Sequence, residues 1–142
     1  MWEFFKKGLS SSASLAAVTL FLALTCLGQS RRGDVITNVP FPFVVANRAL
    51  PPGKYIVTPI SEATFRIYAG KNQGVIFQTH SVQGRAQDGA AKVVFHRYGD
   101  TYYLSEVWGA ASTIGSQLFT SRSERETAKT ANWELAALTA RE

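Results

Sequence analysis

Two histidines are the first residues to consider for metal binding or proton transfer, because imidazole can do both. His80 and His96 are the only histidines in the 142-residue chain. Metal sites use ligands at short, fixed spacings or on converging strands, and these two residues, sixteen positions apart, give neither signal. A lone histidine on a strand opposite a tyrosine is typical of a cross-strand packing pair. We therefore expect no metal site.

The carboxylates and serines do not form a recognisable catalytic set. Glu106 lies near Arg97 and Tyr102, which fits either a buried catalytic acid or, more commonly, an ion pair on a strand. No serine occurs in a G-x-S-x-G nucleophile elbow. The stretch from Gly70 to Gly74 lacks the Lys-Ser/Thr that completes a phosphate-binding loop. A hydrolase that uses scattered acids is thus the weakest of the functions considered.

The single cysteine, Cys26, lies in the apolar N-terminal segment. A mature domain that begins after this segment contains no thiol, which excludes a disulfide, a cysteine-ligated zinc and a cysteine nucleophile. The sequence therefore predicts a protein that has no cofactor and is not an enzyme.

Aromatic residues are concentrated near His96, and they are the most suggestive feature of the chain. Tyr98, Tyr102, Tyr103 and Trp108 fall within eleven residues. Aromatic faces can stack on a sugar or cover an apolar ligand, but they also fill the cores of small β-domains. The candidate ligand contacts are Tyr98, Tyr103 and His96, with core packing as the more common role.

The elements that carry these residues are predicted to be strands. Short alternating runs separated by turn residues extend over about residues 35–120. The clearest is a hairpin over residues 91–108, in which Gly99-Asp100 suits a two-residue type II′ turn. That register pairs Tyr98 with Thr101, and it places Val93, Phe95, Leu104 and Trp108 on one face and Val94, His96, Tyr98, Tyr103 and Val107 on the other. Both faces are largely apolar, so we expect the hairpin to be covered on both sides.

The end of the chain changes period. Ser121 and Ser123 each precede a glutamate by three residues, as in a capping box. Ala128, Ala131, Leu135 and Leu138 then recur at helical spacing, which predicts a helix over about residues 124–140. Trp133 lies off this stripe, exposed or packed against a neighbouring element. The predicted fold is all-β: a small antiparallel sandwich or open barrel of about six to eight strands with one C-terminal helix, preceded by a signal-peptide helix.

The N-terminus has the organisation of a signal peptide. Lys6 and Lys7 precede an uncharged run, Leu15–Leu27, which is shorter than the ~20 residues that span a bilayer. Small residues allow cleavage after Gly28 or after Ser30. The alternatives are a retained anchor, which Arg31-Arg32 slightly favours, and a lipoprotein, which the residues before Cys26 fit poorly. We predict a signal peptide over residues 1–30 and one β-rich domain over 31–142, exported to the periplasm, cell surface or medium, with membrane contact only through the N-terminal segment before cleavage.

The net charge of +5 is distributed along the chain, with no basic run longer than Arg31-Arg32. A nucleic-acid interface needs basic residues clustered on one face. We therefore expect no nucleic-acid partner.

Three strings of residues are familiar when taken together: VPFPFVVANRALPPGKYIV (Val39–Val57), VVFHRYGDTYYLSEVW (Val93–Trp108) and SRSERE (Ser121–Glu126). They resemble an uncharacterised family of small exported β-rich bacterial proteins, found mostly in soil bacteria. The resemblance covers most of the mature chain and implies export and a β-rich fold. It implies no activity, cofactor or site residue.

These observations favour an exported envelope or extracellular domain with a non-enzymatic binding or structural role. The alternative is a small carrier of an apolar or sugar ligand that uses the hairpin aromatics. The two differ in what the structure must provide: a carrier needs an open mouth lined by Tyr98, Tyr103 and His96, whereas a structural domain needs those rings packed.

Overall fold

Strands dominate the chain because its short apolar–polar alternations are interrupted by glycine, proline and asparagine turns. The computed structural model describes residues 33–84 and 89–141, which belong to one compact unit, residues 32–142. The elements in chain order are β1 (Val35–Val39), β2 (Phe43–Val45), β3 (Arg48–Leu50), β4 (Gly53–Pro59), β5 (Thr64–Tyr68), β6 (Val75–Gln83), β7 (Lys92–Tyr98), β8 (Thr101–Trp108), β9 (Ile114–Leu118), α1 (Arg122–Ala128) and β10 (Glu134–Thr139).

One path of paired strands runs in the order β1-β4-β5-β6-β9-β8-β2-β3, while β7 pairs with β8 and with β10. The first half of β6 pairs with β5 and its second half with β9, so this strand joins the two parts of the sheet. The path does not close into a barrel. The mostly-β class with one helix is confirmed, but the described residues contain ten strands rather than six to eight.

The described strands pair antiparallel as expected, with one exception: β2 pairs in parallel with β8 through Val44 and Tyr103. The chain reaches β2 through Pro40 and Pro42, which cannot donate ladder hydrogen bonds and so end β1 at Val39. Strand β1 and strand β2 therefore pair with different neighbours despite their shared apolar alternation.

The core lies between the inward faces of the strands, and phenylalanine rings fill its centre. Phe43 makes edge-to-face contacts with Tyr55 and Phe95, with ring centroids 5.1 and 5.5 Å apart. Phe41 makes an edge contact with Phe95 and stacks on Tyr102. The largest fully buried side chains are Phe43, Phe95, Ile67, Val39, Val45, Val57 and Val93.

The hairpin of β7 and β8 forms at the predicted turn and in the predicted register. Gly99 has a φ of 60°, and Asp100 is not among the described non-glycine residues with positive φ, as a type II′ turn requires. Tyr98 pairs with Thr101, His96 with Tyr103, and Phe95 with Leu104. This part of the sequence-based prediction is confirmed.

Beyond those pairs the hairpin contains a β-bulge that the sequence did not reveal. The register shifts between Val94 and Phe95, so that Val94 pairs with Glu106 and Ser105 is the extra residue on β8. A bulge reverses the side-chain alternation of the strand that carries it. Val107 therefore joins the core cluster and Trp108 does not, so the predicted assignment of these two residues to faces was wrong.

The predicted C-terminal helix over 124–140 was wrong in its second half. Helix α1 ends at Ala128, and residues Glu134–Thr139 form β10, which pairs along its whole length with β7. The helical spacing of Leu135 and Leu138 is overridden because β7 needs a second partner for its backbone groups. In β10 alternate residues Ala136 and Leu138 pack on the core, while Leu135 is 64% exposed.

The predicted signal peptide, residues 1–30, lies outside the described residues. Within 33–84 and 89–141, no helix has the length and apolar character of a membrane span.

The indole of Trp108 lies in a slot formed by two glycines. A Cβ added at Gly115 would come within 2.5 Å of the indole, and one added at Gly84 within 2.4 Å. We expect Gly115→Ala to lower the free energy of unfolding by about 1–3 kcal/mol, because the ring or the backbone must move. Urea denaturation measures the change.

The matched control is Gly53→Ala in β4, where the nearest atom would be 3.7 Å from the new Cβ. This variant is expected to unfold at the same urea concentration as the unaltered protein or slightly above it. An equal loss of stability in both variants would contradict the claim that contact with the Trp108 indole is what excludes a side chain at position 115.

Candidate functional site

The three candidate ligand contacts lie together on the face of the β7–β8 hairpin that is turned away from the phenylalanine core. The rings of Tyr98 and Tyr103 meet edge to face, with centroids 5.6 Å apart. The His96 ring is 6.5 Å from Tyr98, also in edge geometry. The structure thus brings the three residues together in one cluster.

Helix α1 covers this face, starting at the capping residue that the sequence predicted. Ser121 is the N-cap, and its Oγ accepts a hydrogen bond from the Glu124 backbone N–H at 3.2 Å. The cap places Glu124 in the first turn, where a carboxylate interacts favourably with the helix dipole. The second predicted box does not form, because the Ser123 N–H donates to Asn47 Oδ1 at 3.0 Å.

The Glu124 carboxylate is the centre of the site. Its Oε1 lies 2.7 Å from His96 Nδ1 and accepts a hydrogen bond from the Tyr98 hydroxyl at 3.1 Å. Glu124 is only 5% exposed, and a carboxylate removed from water requires such donors. We call the group formed by His96, Tyr98, Tyr103, Ser105 and Glu124 the hairpin–helix clamp.

The bulge supplies the next member of the clamp. Ser105 Oγ lies 3.0 Å from His96 Nε2. Because an ionised carboxylate can only accept, Nδ1 carries the proton that faces Glu124. In the neutral ring Nε2 is then the acceptor, and the Ser105 hydroxyl donates to it.

Tyr103 and the β2–β3 turn hold the other side of the helix. The Tyr103 hydroxyl lies 2.7 Å from Thr127 Oγ1 and donates to the Ser123 carbonyl at 3.3 Å. The turn that carries Asn47 has two residues with positive φ, Ala46 at 47° and Asn47 at 67°. This geometry suits a tight hairpin turn and brings Asn47 to the start of the helix.

Trp133 closes the clamp from the outside. Its ring stacks on His96 with centroids 4.4 Å apart and an interplanar angle of 27°. The indole is half exposed, so it lies between the imidazole and solvent. The sequence left two alternatives for Trp133, exposed or packed against a neighbouring element, and the structure combines them.

Burial and the neighbouring carboxylate both act on Tyr98. Desolvation is the larger cause, followed by the charge of Glu124 and the hydrogen bond to it, and together they raise the pKa of the phenol from 10.0 to about 12. Tyr98 therefore remains protonated, and a hydrogen-bond donor, throughout the physiological range.

Ser105, His96 and Glu124 follow the order nucleophile, base and orienting acid that defines a hydrolytic triad. Their environment does not suit that chemistry, because Ser105 is 4% exposed and Trp133 covers the imidazole. Two clefts of the described surface, of about 560 and 490 Å³, are lined by other residues. The arrangement as it stands fastens a helix to a sheet.

The remaining candidates lie apart from the clamp. His80 contacts Gln117 and Phe119 on the outer surface. Glu106 accepts a hydrogen bond from the Trp108 indole at 2.7 Å, whereas Arg97 donates to the Gly99 carbonyl. In the described structure these two side chains therefore have different partners, and the Glu106–Arg97 ion pair does not form. Within the described ranges no three His, Cys, Asp or Glu residues are grouped to hold a metal.

The Glu124→Gln variant tests the clamp. We expect it to lower the free energy of unfolding by about 1–3 kcal/mol, because the amide removes the charge that pairs with His96 and buries an NH₂ group without an acceptor. The measurement is urea denaturation at neutral pH.

Glu126→Gln is the matched control on the same helix. Glu126 pairs with Lys129 at 3.0 Å, but both side chains are more than half exposed, and such pairs contribute less than about 1 kcal/mol. A loss at position 126 equal to that at position 124 would show that helix charge, not the clamp, determines stability.

The raised pKa of Tyr98 predicts a loss of stability in alkali. The unfolded phenol ionises near pH 10.0 and the folded one near pH 12. The stabilisation is therefore complete below pH 10 and is lost as the pH rises towards 12. Urea midpoints measured across this window should fall more steeply for the unaltered protein than for Tyr98→Phe. Tyr68→Phe on the outer surface should retain the steep fall, and identical curves for all three proteins would contradict the assignment.

Known proteins offer no guide to the role of the clamp. Comparison of the chain with models of protein families, with curated proteins and with solved structures finds no match. The resemblance to the exported bacterial family therefore stays a prediction. What the chain does has to be argued from its own residues.

Proposed function

We propose that the chain is an exported protein whose mature domain, residues 31–142, has a non-enzymatic binding or structural role in the cell envelope or outside the cell. The observation that carries the proposal is the engagement of His96, Tyr98 and Tyr103 with helix α1. Their polar atoms already have partners within the domain. Side chains held in this way stabilise a fold and are not free to meet a substrate.

The same contacts argue against the carrier that uses the hairpin aromatics. Tyr98 and Tyr103 are buried and hydrogen-bonded to the helix. A ligand could reach these rings only after α1 and Trp133 had moved away. Because these rings are packed within the domain, we favour the structural or binding role over the carrier role.

Export is supported by the arrangement of the N-terminus and by the start of the domain. Lys6, Lys7 and the uncharged run Leu15–Leu27 have the order of a signal peptide. The compact unit begins at Arg32, next to the predicted cleavage point after Ser30. A thiol-free mature domain also folds without any requirement for a particular redox state.

We infer that the sheet is an open barrel rather than a sandwich. Strand β1 begins the path of paired strands and β10 lies off it, beside β7, yet the chain after β10 meets β1 at a bridge between Ile36 and Arg141. The two hydrogen bonds of this bridge measure 2.7 and 3.0 Å. Among the described residues this bridge alone joins the two edges. Along the rest of β1 and β10 the edges stay unpaired, and we call this gap the seam.

Intact mass spectrometry of the protein recovered from the periplasm and medium of an expressing bacterium tests the proposal. We expect a mass that matches a start at Gln29 or Arg31, and no additional bound mass under native conditions. An uncleaved chain in the membrane fraction would overturn export, and a co-purified small ligand would favour the carrier.

A fluorophosphonate probe, which labels activated serines, tests the non-enzymatic part. We expect no labelling of Ser105, because the side chain is buried beneath the clamp. Labelling that disappears in both Ser105→Ala and His96→Gln, but not in Ser112→Ala, would establish a functional triad and overturn the proposal.

A further inference from the structure

In the described part of the chain, strand β10 has one edge without a partner strand. Among the described residues it pairs with β7 alone. The Ala140 N–H donates to the Ala91 carbonyl at 2.7 Å, which shows that the backbone groups of even-numbered residues face β7. Because successive residues of a strand direct these groups to opposite edges, those of Leu135, Ala137 and Thr139 face away from β7.

This edge ends at the seam. The bridge between Ile36 and Arg141 sets an antiparallel register, in which the next rung would join Asn38 to Thr139. In the part of the chain that the structure describes, that rung does not form. The strands separate at this point, and a cleft of about 560 Å³ opens between them.

The cleft has a definite chemical character. Among the described residues that line it, the charged ones are both cations, Lys54 and Arg141. Thr37 also lines it, and the Thr37 Oγ1 is buried without a hydrogen-bond partner in the described structure.

Most of the free edge lacks the usual protection against pairing. Its sequence, ELAALT, contains no proline and no lysine, and its one charged residue, Glu134, lies at the end away from the cleft. The side chain of Leu135 is exposed. Exposed edge strands without such residues accept another strand. An added strand gains main-chain hydrogen bonds, and nearby side chains determine which strand is preferred.

We propose that the free edge of β10 binds an extended peptide segment of a partner protein, which carries a carboxylate at the end that enters the cleft. Backbone groups of Leu135, Ala137 and Thr139 hold the segment, and Lys54 and Arg141 select its charge. The inference rests on the proposed binding role of the exported domain and names its partner class.

The probe is an acetylated and amidated seven-residue peptide, Glu-Thr-Val-Thr-Val-Thr-Glu, and its counterpart has lysine at both ends. Fluorescence anisotropy of labelled peptides measures their binding to the full protein that is recovered from the periplasm and medium. We expect the glutamate peptide to bind at least about tenfold more tightly, with a preference that weakens in salt. Equal binding of the two peptides, or none, would overturn the proposal.

Charge reversal tests selection by the cleft. The double variant Lys54→Glu and Arg141→Glu should prefer the lysine peptide. The matched control, Arg48→Glu with Lys71→Glu, makes the same change in net charge at exposed positions elsewhere and should retain the original preference. A change of preference in both double variants would show that net charge alone acts, and would overturn selection by the cleft.

Proline substitution tests the edge. Ala137→Pro removes an N–H that faces the free edge, so it should abolish peptide binding with little loss of stability. Ala136→Pro removes an N–H that faces β7 and should destabilise the fold. Undiminished binding by Ala137→Pro would overturn the proposal. So would light scattering that shows a dimer for the unaltered protein and a monomer for Ala137→Pro, because the edge would then pair with a second copy of the chain.

The outcomes separate this inference from the proposed function. A cleaved, exported chain that the fluorophosphonate does not label, and that binds neither peptide, would overturn the inference alone. An uncleaved or labelled chain would overturn the proposed function whatever the peptide result.

Discussion

The buried carboxylate of Glu124 is the point on which the C-terminal third of the domain depends. It takes donors from two neighbouring positions of β7, His96 and Tyr98, and it belongs to a helix of only seven residues. So short a helix has little stability of its own in water. The clamp therefore determines the position of α1. It also determines the position of Trp133, which follows the helix in the chain.

Removing one partner from such a buried network costs more than the network contributes when complete. The imidazole of His96 is shared between Glu124 and Ser105, and Trp133 limits its access to water. Each group thus determines the environment of the others. The clamp resembles a catalytic triad because both need a fixed imidazole tautomer, held by an acceptor on one nitrogen and a hydroxyl on the other.

Local rules were sufficient where neighbouring residues determine the structure. The type II′ turn at Gly99, the first pairs of the hairpin and the cap at Ser121 all depend on residues within a few positions of one another. Long-range effects were not visible in the sequence. Residues 134–139 were predicted to be helical, but they form a strand because they pair with β7. No residue near Ser105 in the sequence indicates the bulge at that position. The candidates His96, Tyr98 and Tyr103 were found together, but Glu124 could join them only through the fold.

The bridge between Ile36 and Arg141 has a consequence for the timing of folding. It joins the first strand of the domain to the last residues of the chain, and Asn47 reaches across to the start of α1 in the same way. Contacts between residues so distant in sequence form slowly, because a long loop must close first. A chain emerging from the ribosome cannot complete this sheet until Arg141 has been synthesised and has emerged. With the export that we propose, this delay would keep the polypeptide unfolded while it waits to cross the membrane.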